Sequence, residues 1–228
     1  MDKIKRDITS LFLYTLLGDL MHFIAHRGLD KHSYKENTIK ALKEALKQEY
    51  ISGVELDVRM SSDNKFVIYH NMSYVKDGIR KFIKNMKISD LNKDGIDSLE
   101  IFLKGINTDK IILLDIKYEF NNNELVVNKI IKLLNKYQNL NIWVCSFNYN
   151  VVNKISIKGK YNVGLLISDI INKNKDIKDF DFISLSKNAF NDIKTNKIRM
   201  IWTVNNKKEL NKYRRVDYVI TDKAYLLR

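Results

Sequence analysis

Glu55 and Asp57 stand two residues apart in the otherwise apolar run from Val54 to Val58. In an extended strand that spacing puts both carboxylates on one face, about 6.5 to 7 Å apart at Cα, close enough to share one ion. Asp115, closing a second apolar run, offers a third carboxylate. An all-oxygen set without Cys or His at ligand spacing suits a hard divalent cation, Mg²⁺ or Ca²⁺, and not zinc. The alternative is that these acids pair with some of the 40 lysines and arginines. Their place inside apolar strands favours the ion, because an acid buried there needs a partner or a metal. Two of the four histidines, His26 and His70, also fall at the ends of such runs. One imidazole could take a proton from an attacking oxygen while the other protonates the departing one. Arg27 and Lys117 add fixed positive charge, so a phosphate oxygen lying between them and the cation would have its developing charge stabilised. Arg27 follows His26 directly and strand alternation sends it to the other face, so it reaches the others only if the chain turns at Gly28. His22, at the start of its strand, reads as structural, and His32, in the loop beyond, is left out of the set.

The elements that must position these residues follow from the apolar runs. His22 to Ala25, Val54 to Val58, Ile111 to Ile116, Ile142 to Ser146, Val163 to Ile167, Phe182 to Leu185, Met200 to Val204 and Tyr218 to Ile220 read as eight buried strands. Helical spacing over Thr38 to Tyr50, Glu124 to Tyr137, Tyr149 to Ile157 and Lys207 to Arg214 gives a β-then-α alternation, with Asn37 or Thr38 as the first N-cap. Eight such units close into an α/β fold, the TIM (β/α)8 barrel, whose C-terminal strand ends converge on one pocket. An open doubly wound sheet is the runner-up. Phe66 to His70 follows the second strand too closely for a crossover and is expected to be a hairpin arm antiparallel to it. A turn centred between Ser62 and Asp63 would set Glu55 opposite His70. Residues 71–110 show weak periodicity apart from Leu99 to Lys104 and form a short insertion at the rim, the place of a lid or substrate loop.

Length and composition agree with one barrel domain over residues 1–228. The 45% hydrophobic fraction supports a packed interior, and a mean hydropathy of −0.31 argues against an integral membrane protein. The single cysteine, Cys145, excludes an intramolecular disulfide and fits a reducing, cytoplasmic setting; it reads as a small strand residue. The apolar stretch Leu11 to Leu17 is too short to span a bilayer, and the charge order before it matches a secretory signal. No small-x-small cleavage site follows, so residues 1–20 are expected to form an N-terminal helix closing one end of the domain. The net charge of +13 attracts phosphates of any kind. The basic residues are scattered and not gathered with aromatics, so no dedicated nucleic-acid surface is expected. A small anionic substrate, or weak contact with anionic membrane, fits the field better.

With these residues in place the chain resembles the glycerophosphodiester phosphodiesterases, a family within the phospholipase-C-like phosphodiesterase barrels. The resemblance runs in order through Ile24-Ala25-His26-Arg27-Gly28, Glu36-Asn37-Thr38, Gly53-Val54-Glu55-Leu56-Asp57-Val58, His70, Leu114-Asp115-Ile116-Lys117, Ser146-Phe147, Trp202-Thr203-Val204-Asn205 and Val219-Ile220-Thr221-Asp222. It implies metal-dependent hydrolysis of a small glycerophosphodiester to an alcohol and sn-glycerol 3-phosphate. The positions matching His26 and His70 would be acid and base, those matching Glu55, Asp57 and Asp115 would hold Mg²⁺ or Ca²⁺, and those matching Arg27 and Lys117 would engage phosphate. Trp202 matches the family's aromatic substrate wall. Four features depart from the pattern: Asp115 where the family usually has Glu, Lys35 in place of Pro, Asn71 in place of an acid after the second histidine, and a brief rim segment. Related sphingomyelinase-D-like barrels carry Asp at the third ligand, which keeps a lysophospholipase D or sphingomyelinase-D-like activity on membrane lipids as the alternative. An inactive barrel that binds phosphorylated ligands or nucleic acid is the third reading.

Overall fold

The computed structural model describes residues 21–29, 33–118, 123–168, 177–213 and 216–227. The helix expected over residues 1–20 and His32 lie outside these. Runs buried on both faces read as continuous apolar stretches, which is how parallel strands covered by helices appear in sequence. Eight of them, β1 (His22–His26), β2 (Gly53–Met60), β6 (Ile111–Ile116), β7 (Ile142–Ser146), β8 (Asn162–Ile167), β9 (Phe182–Ser186), β10 (Ile198–Trp202) and β11 (Tyr218–Thr221), pair in parallel and close when β1 joins both β11 and β2. The eight-stranded barrel expected from the sequence is therefore present, with one further strand, β3 (Phe66–Ile68), antiparallel on β2.

Alternation along the strands sorts the interior. Val54, Leu56 and Val58 face outward into the apolar layer under the helices, so Gly53, Glu55 and Asp57 face into the barrel. The barrel interior is a smaller cluster of Ile24, Leu113, Cys145, Phe182, Met200 and their neighbours. At the N-terminal end it is stoppered by rings: His22 stacks on Tyr218 at 5.2 Å, and Trp143 packs against Phe182 at 5.1 Å and Tyr218 at 5.6 Å. The Phe182 ring fits only because β8 offers Gly164 opposite it, where a Cβ would stand 2.3 Å from the ring.

Helix α1 (Ile39–Leu46) is capped by Thr38, whose Oγ1 accepts from Ala41 N at 3.2 Å. It stops at Leu46, short of the expected Tyr50. Lys110 Nζ donates to the carbonyls of Leu46 and Gln48 at 2.9 and 2.7 Å, which satisfies the helix end and turns the chain into β2. The rim insertion is more ordered than its periodicity suggests. It contains the hairpin β4 (Ser73–Lys76) and β5 (Ile79–Phe82), a 3₁₀ turn over Ile83–Asn85 and helix α2 (Ile88–Lys93). Asp77 and Gly78 both have positive φ, 52° and 75°, the two-residue turn that an Asp-Gly pair favours. Val67, Ile83, Leu91 and Ile96 give this insertion a small core of its own. Helix α3 (Leu99–Lys104), as expected, leads back to β6 through the main apolar layer. Helices α4 (Asn123–Leu134) and α5 (Tyr149–Lys158) complete the next two units, and α6 (Lys207–Leu210) is a single turn within the expected Lys207 to Arg214, of which Arg214 is not among the described residues. The short helix α7 (Ala224–Leu227) follows β11. Strand β10 begins and ends two residues before the expected Met200 to Val204, because its ladder with β9 runs from Ile198 opposite Phe182 to Trp202 opposite Ser186.

Candidate active site

The hairpin carries the second histidine to the first. β1 ends at His26, paired with Glu55, while β2 continues to Met60. Val58 pairs with Ile116 of β6 on one edge and with Ile68 of β3 on the other, so β3 takes the edge that β1 leaves open. The chain beyond β3 then arrives over the end of β1, with Tyr69 N donating to Asp57 O at 2.9 Å. The register differs by one residue from the expected one, so Glu55 and His70 are not cross-strand partners. The reason is the connection: it spans Ser61–Lys65 with Ser61 N bonded to Lys65 O at 2.8 Å and Asn64 at φ 58°, a longer loop than a turn centred between Ser62 and Asp63. His70 still reaches the pocket, and Arg59 Nε fixes its carbonyl at 2.8 Å.

All eight residues expected from the sequence, His26, Arg27, Glu55, Asp57, His70, Asp115, Lys117 and Trp202, line a single cavity at the C-terminal end of the barrel, with Phe147, Leu166 and Ile220 forming its apolar side. Arg27 gets there as the turn at Gly28 requires: it adopts φ 59° and Gly28 φ 99°. A Cβ at Gly28 would lie 2.7 Å from the Ala41 backbone, so the turn also depends on glycine for space.

The charges interlock. Asp57 is 1% exposed; its two oxygens meet Lys117 Nζ at 2.8 Å and Arg27 Nε at 2.9 Å. Lys117 also contacts Asp115 Oδ2 at 2.5 Å, and Arg27 Nη1 contacts Glu36 Oε1 at 2.9 Å. Burial pushes the Asp57 carboxyl up, but Lys117 and Arg27 outweigh it and hold it below the ordinary range. Glu55 has less help: burial and then the neighbouring Asp57 and Asp115 hold its carboxyl well above that range. Asp115 is pushed up to about 6, chiefly by burial, with Lys117 pulling against it. Burial would lower Lys117, yet Asp115 and Asp57 keep its ammonium raised. Cys145, on the pocket floor, is driven upward by burial and the nearby acids, which keeps the thiol protonated and agrees with its reading as a small strand residue.

One oxygen from each of Glu55, Asp57 and Asp115 lies within 4.8 Å of the other two, and all three residues are buried. Asp115 Oδ1 is buried without a hydrogen-bond partner. A buried carboxylate oxygen with no donor, beside two more acids, is what an oxygen-seeking cation would satisfy, so these residues fit a divalent ion.

Several supporting residues were not singled out from sequence. Asn37 was read as a helix cap, but it sits at φ 55°, buried, with Nδ2 donating to Asp57 Oδ2 at 2.7 Å and Oδ1 accepting from Asp57 N at 3.1 Å. His26 Nδ1 lies 2.7 Å from Asp222 Oδ1, and Asn205 holds Asp222 through its carboxylate and its backbone N–H, both at 2.9 Å. His26 Nε2 points toward Glu55 Oε2 at 3.8 Å. Positions 37, 205 and 222 each fall in a motif block or directly after a strand, which is the signal that could have found them.

Residues 26–114 match the model of the glycerophosphoryl diester phosphodiesterase family. A solved glycerophosphodiester phosphodiesterase from Thermotoga maritima is 28% identical and superimposes with a TM-score of 0.74 over 90% of this chain and 96% of its own. The family match over residues 26–114 and this likeness along nearly the whole chain point the same way. The chain is accordingly an enzyme, a phosphoric diester hydrolase acting on glycerophosphodiesters. More distant likenesses show the same fold. A glycerophosphodiester phosphodiesterase from Parabacteroides distasonis is 22% identical, with a TM-score of 0.69 over 89% of this chain and 93% of its own. A phosphodiesterase from Oleispira antarctica, solved with its product sn-glycerol-3-phosphate, is 19% identical, with a TM-score of 0.74 over 92% and 96%. No curated protein matches the sequence.

Proposed function

We propose that this glycerophosphodiester phosphodiesterase works through a His26 and His70 acid-base pair beside one divalent cation held by Glu55, Asp57 and Asp115, releasing sn-glycerol 3-phosphate. The observation that carries the reading is the buried oxygen triad opening into the same cavity as both imidazoles. The cation would act as a Lewis acid on a phosphoryl oxygen. Asp222, accepting from Nδ1–H of His26, fixes the tautomer in which Nε2 carries a lone pair, so His26 is suited to take the proton of the attacking oxygen. His70 is held below its ordinary range by burial, with Arg27 and Lys117 contributing against the opposite pull of Asn71 and Asp57. In its protonated form it is therefore a stronger acid, suited to protonating the leaving alcohol. Arg27 and Lys117, both held by Asp57, would face the phosphate. Trp202 and Phe147, packed edge to face at 5.8 Å, would wall the glycerol side.

The test is release of glycerol 3-phosphate from glycerophosphocholine, with and without chelator, for wild type, His26→Ala and His70→Ala. Each substitution is expected to lower the rate about 10²- to 10⁴-fold, and chelation to abolish it. Turnover that persists with chelator, or survives loss of His26, overturns the mechanism. A second reading, action on lipids that keep an acyl chain, is favoured by Asp115 at the third ligand; choline release from lysophosphatidylcholine but not from glycerophosphocholine selects it.

A further inference from the structure

The hairpin that follows His70 leaves apolar side chains in water. Met72, Val75, Ile79 and Phe82 are 55, 62, 63 and 37% exposed, four large apolar residues within eleven positions. Single exposed apolar side chains are ordinary, but a cluster marks a surface meant to be covered. The register sorts these side chains by face. Ser73 faces Phe82 and Val75 faces Arg80, so Val75 and Phe82 share one face of the two-stranded sheet, while Tyr74, Lys76 and Lys81 lie on the other together with Ile79, which is exposed there at the hairpin tip. That other face is tied down: Asp94, capping α2, accepts from the Tyr74 hydroxyl at 2.6 Å, Lys76 at 2.5 Å and Lys81 at 3.0 Å. The hairpin is thus held with Val75 and Phe82 outward and Ile79 exposed at its tip, and it begins three residues after His70.

The charge around it selects the occupant. Residues 72–87 contain Lys76, Arg80, Lys81, Lys84 and Lys87 against the single acid Asp77, and Arg80, Lys84 and Lys87 are exposed. We propose that this basic, apolar hairpin docks the enzyme on an anionic lipid surface, with Val75, Ile79 and Phe82 entering the headgroup layer and the active-site mouth held against the bilayer. Apolar insertion and basic side chains reinforce one another at such a surface, each lysine or arginine near it raising partition about five-fold. A second copy of the chain would bring the same positive charge to the same place, which disfavours it as the partner. The contact proposed is a peripheral one; no helix among the described residues is long and apolar enough to cross a membrane.

Binding is read without turnover, so its outcome is separate from the catalytic reading above. The full chain is sedimented with vesicles of phosphatidylcholine alone and with vesicles containing phosphatidylglycerol, and compared with the double variant Val75→Asp/Ile79→Asp. Both positions are more than 60% exposed, so the variant should keep the wild-type melting temperature and its rate on soluble glycerophosphocholine. The wild type is expected to pellet with the anionic vesicles and the variant to partition about ten-fold less. Equal pelleting of the two proteins, pelleting that ignores lipid charge, or a concentration-dependent dimer lost in the variant would each overturn the proposal.

Discussion

Asp115 carries the clearest pH signature in the molecule. Its carboxyl, pushed up to about 6 chiefly by burial, holds a proton in the folded protein that an unfolded chain has already released. Such a group stabilises the ion-free fold fully below the ordinary carboxyl range, and that contribution is lost as the pH climbs through about 6. Glu55, raised by burial and by the other two acids, acts in the same direction. A divalent cation needs these oxygens unprotonated and must also displace Lys117 from Asp115. Calorimetric titration with Mg²⁺ or Ca²⁺ should therefore show affinity falling roughly ten-fold per unit below about pH 6. In thermal melts with chelator, wild type should lose stability between about pH 4 and 7 more steeply than Asp115→Asn. Equal slopes for the two proteins would remove Asp115 as the source.

Among the elements, the turn from β1 into α1 organises the charged residues by backbone conformation. Arg27, Gly28 and Asn37 all adopt positive φ, and through them the loop delivers one cation and one carboxamide to Asp57. Asn37→Gly keeps the backbone freedom and removes only the side chain. It is expected to lower kcat/KM and cation affinity about ten- to a hundred-fold while the protein still melts cooperatively; unchanged kinetics would make Asn37 merely structural. The eight strands were legible in the sequence because strands buried on both faces must be apolar throughout, and His26, Glu55, Asp57 and Asp115 were legible because acids and imidazoles interrupt those runs. The end of α1 was not, since Lys110, far along the chain, decides it. Nor were the duties of Asn37, Arg59, Asn205 and Asp222, whose hydrogen bonds depend on which strand ends become neighbours once the barrel closes. The hairpin turn at Asp77-Gly78 was available as a local signal, yet a search for longer periodicity passes over a pair of four-residue strands.

Taken as a whole, the molecule is an attractor for anions. A net charge of +13 on a body this size raises the local concentration of negatively charged substrates around it, and the field is screened over about 10 Å at 0.1 M salt. For a diester with net negative charge, such as glycerophosphoglycerol, kcat/KM should fall as salt is raised while kcat holds. For glycerophosphocholine, whose charges cancel, the fall should be much smaller; identical salt profiles for the two would argue against steering.

The rings of His22, Tyr218, Trp143 and Phe182 close the far end of the barrel. The enzyme is therefore a cul-de-sac and not a conduit: whatever is cut must back out through the opening by which it came in. A fragment lodged deepest would wait for the one nearer the doorway, and each round of cleavage would end in a queue whose order the architecture imposes.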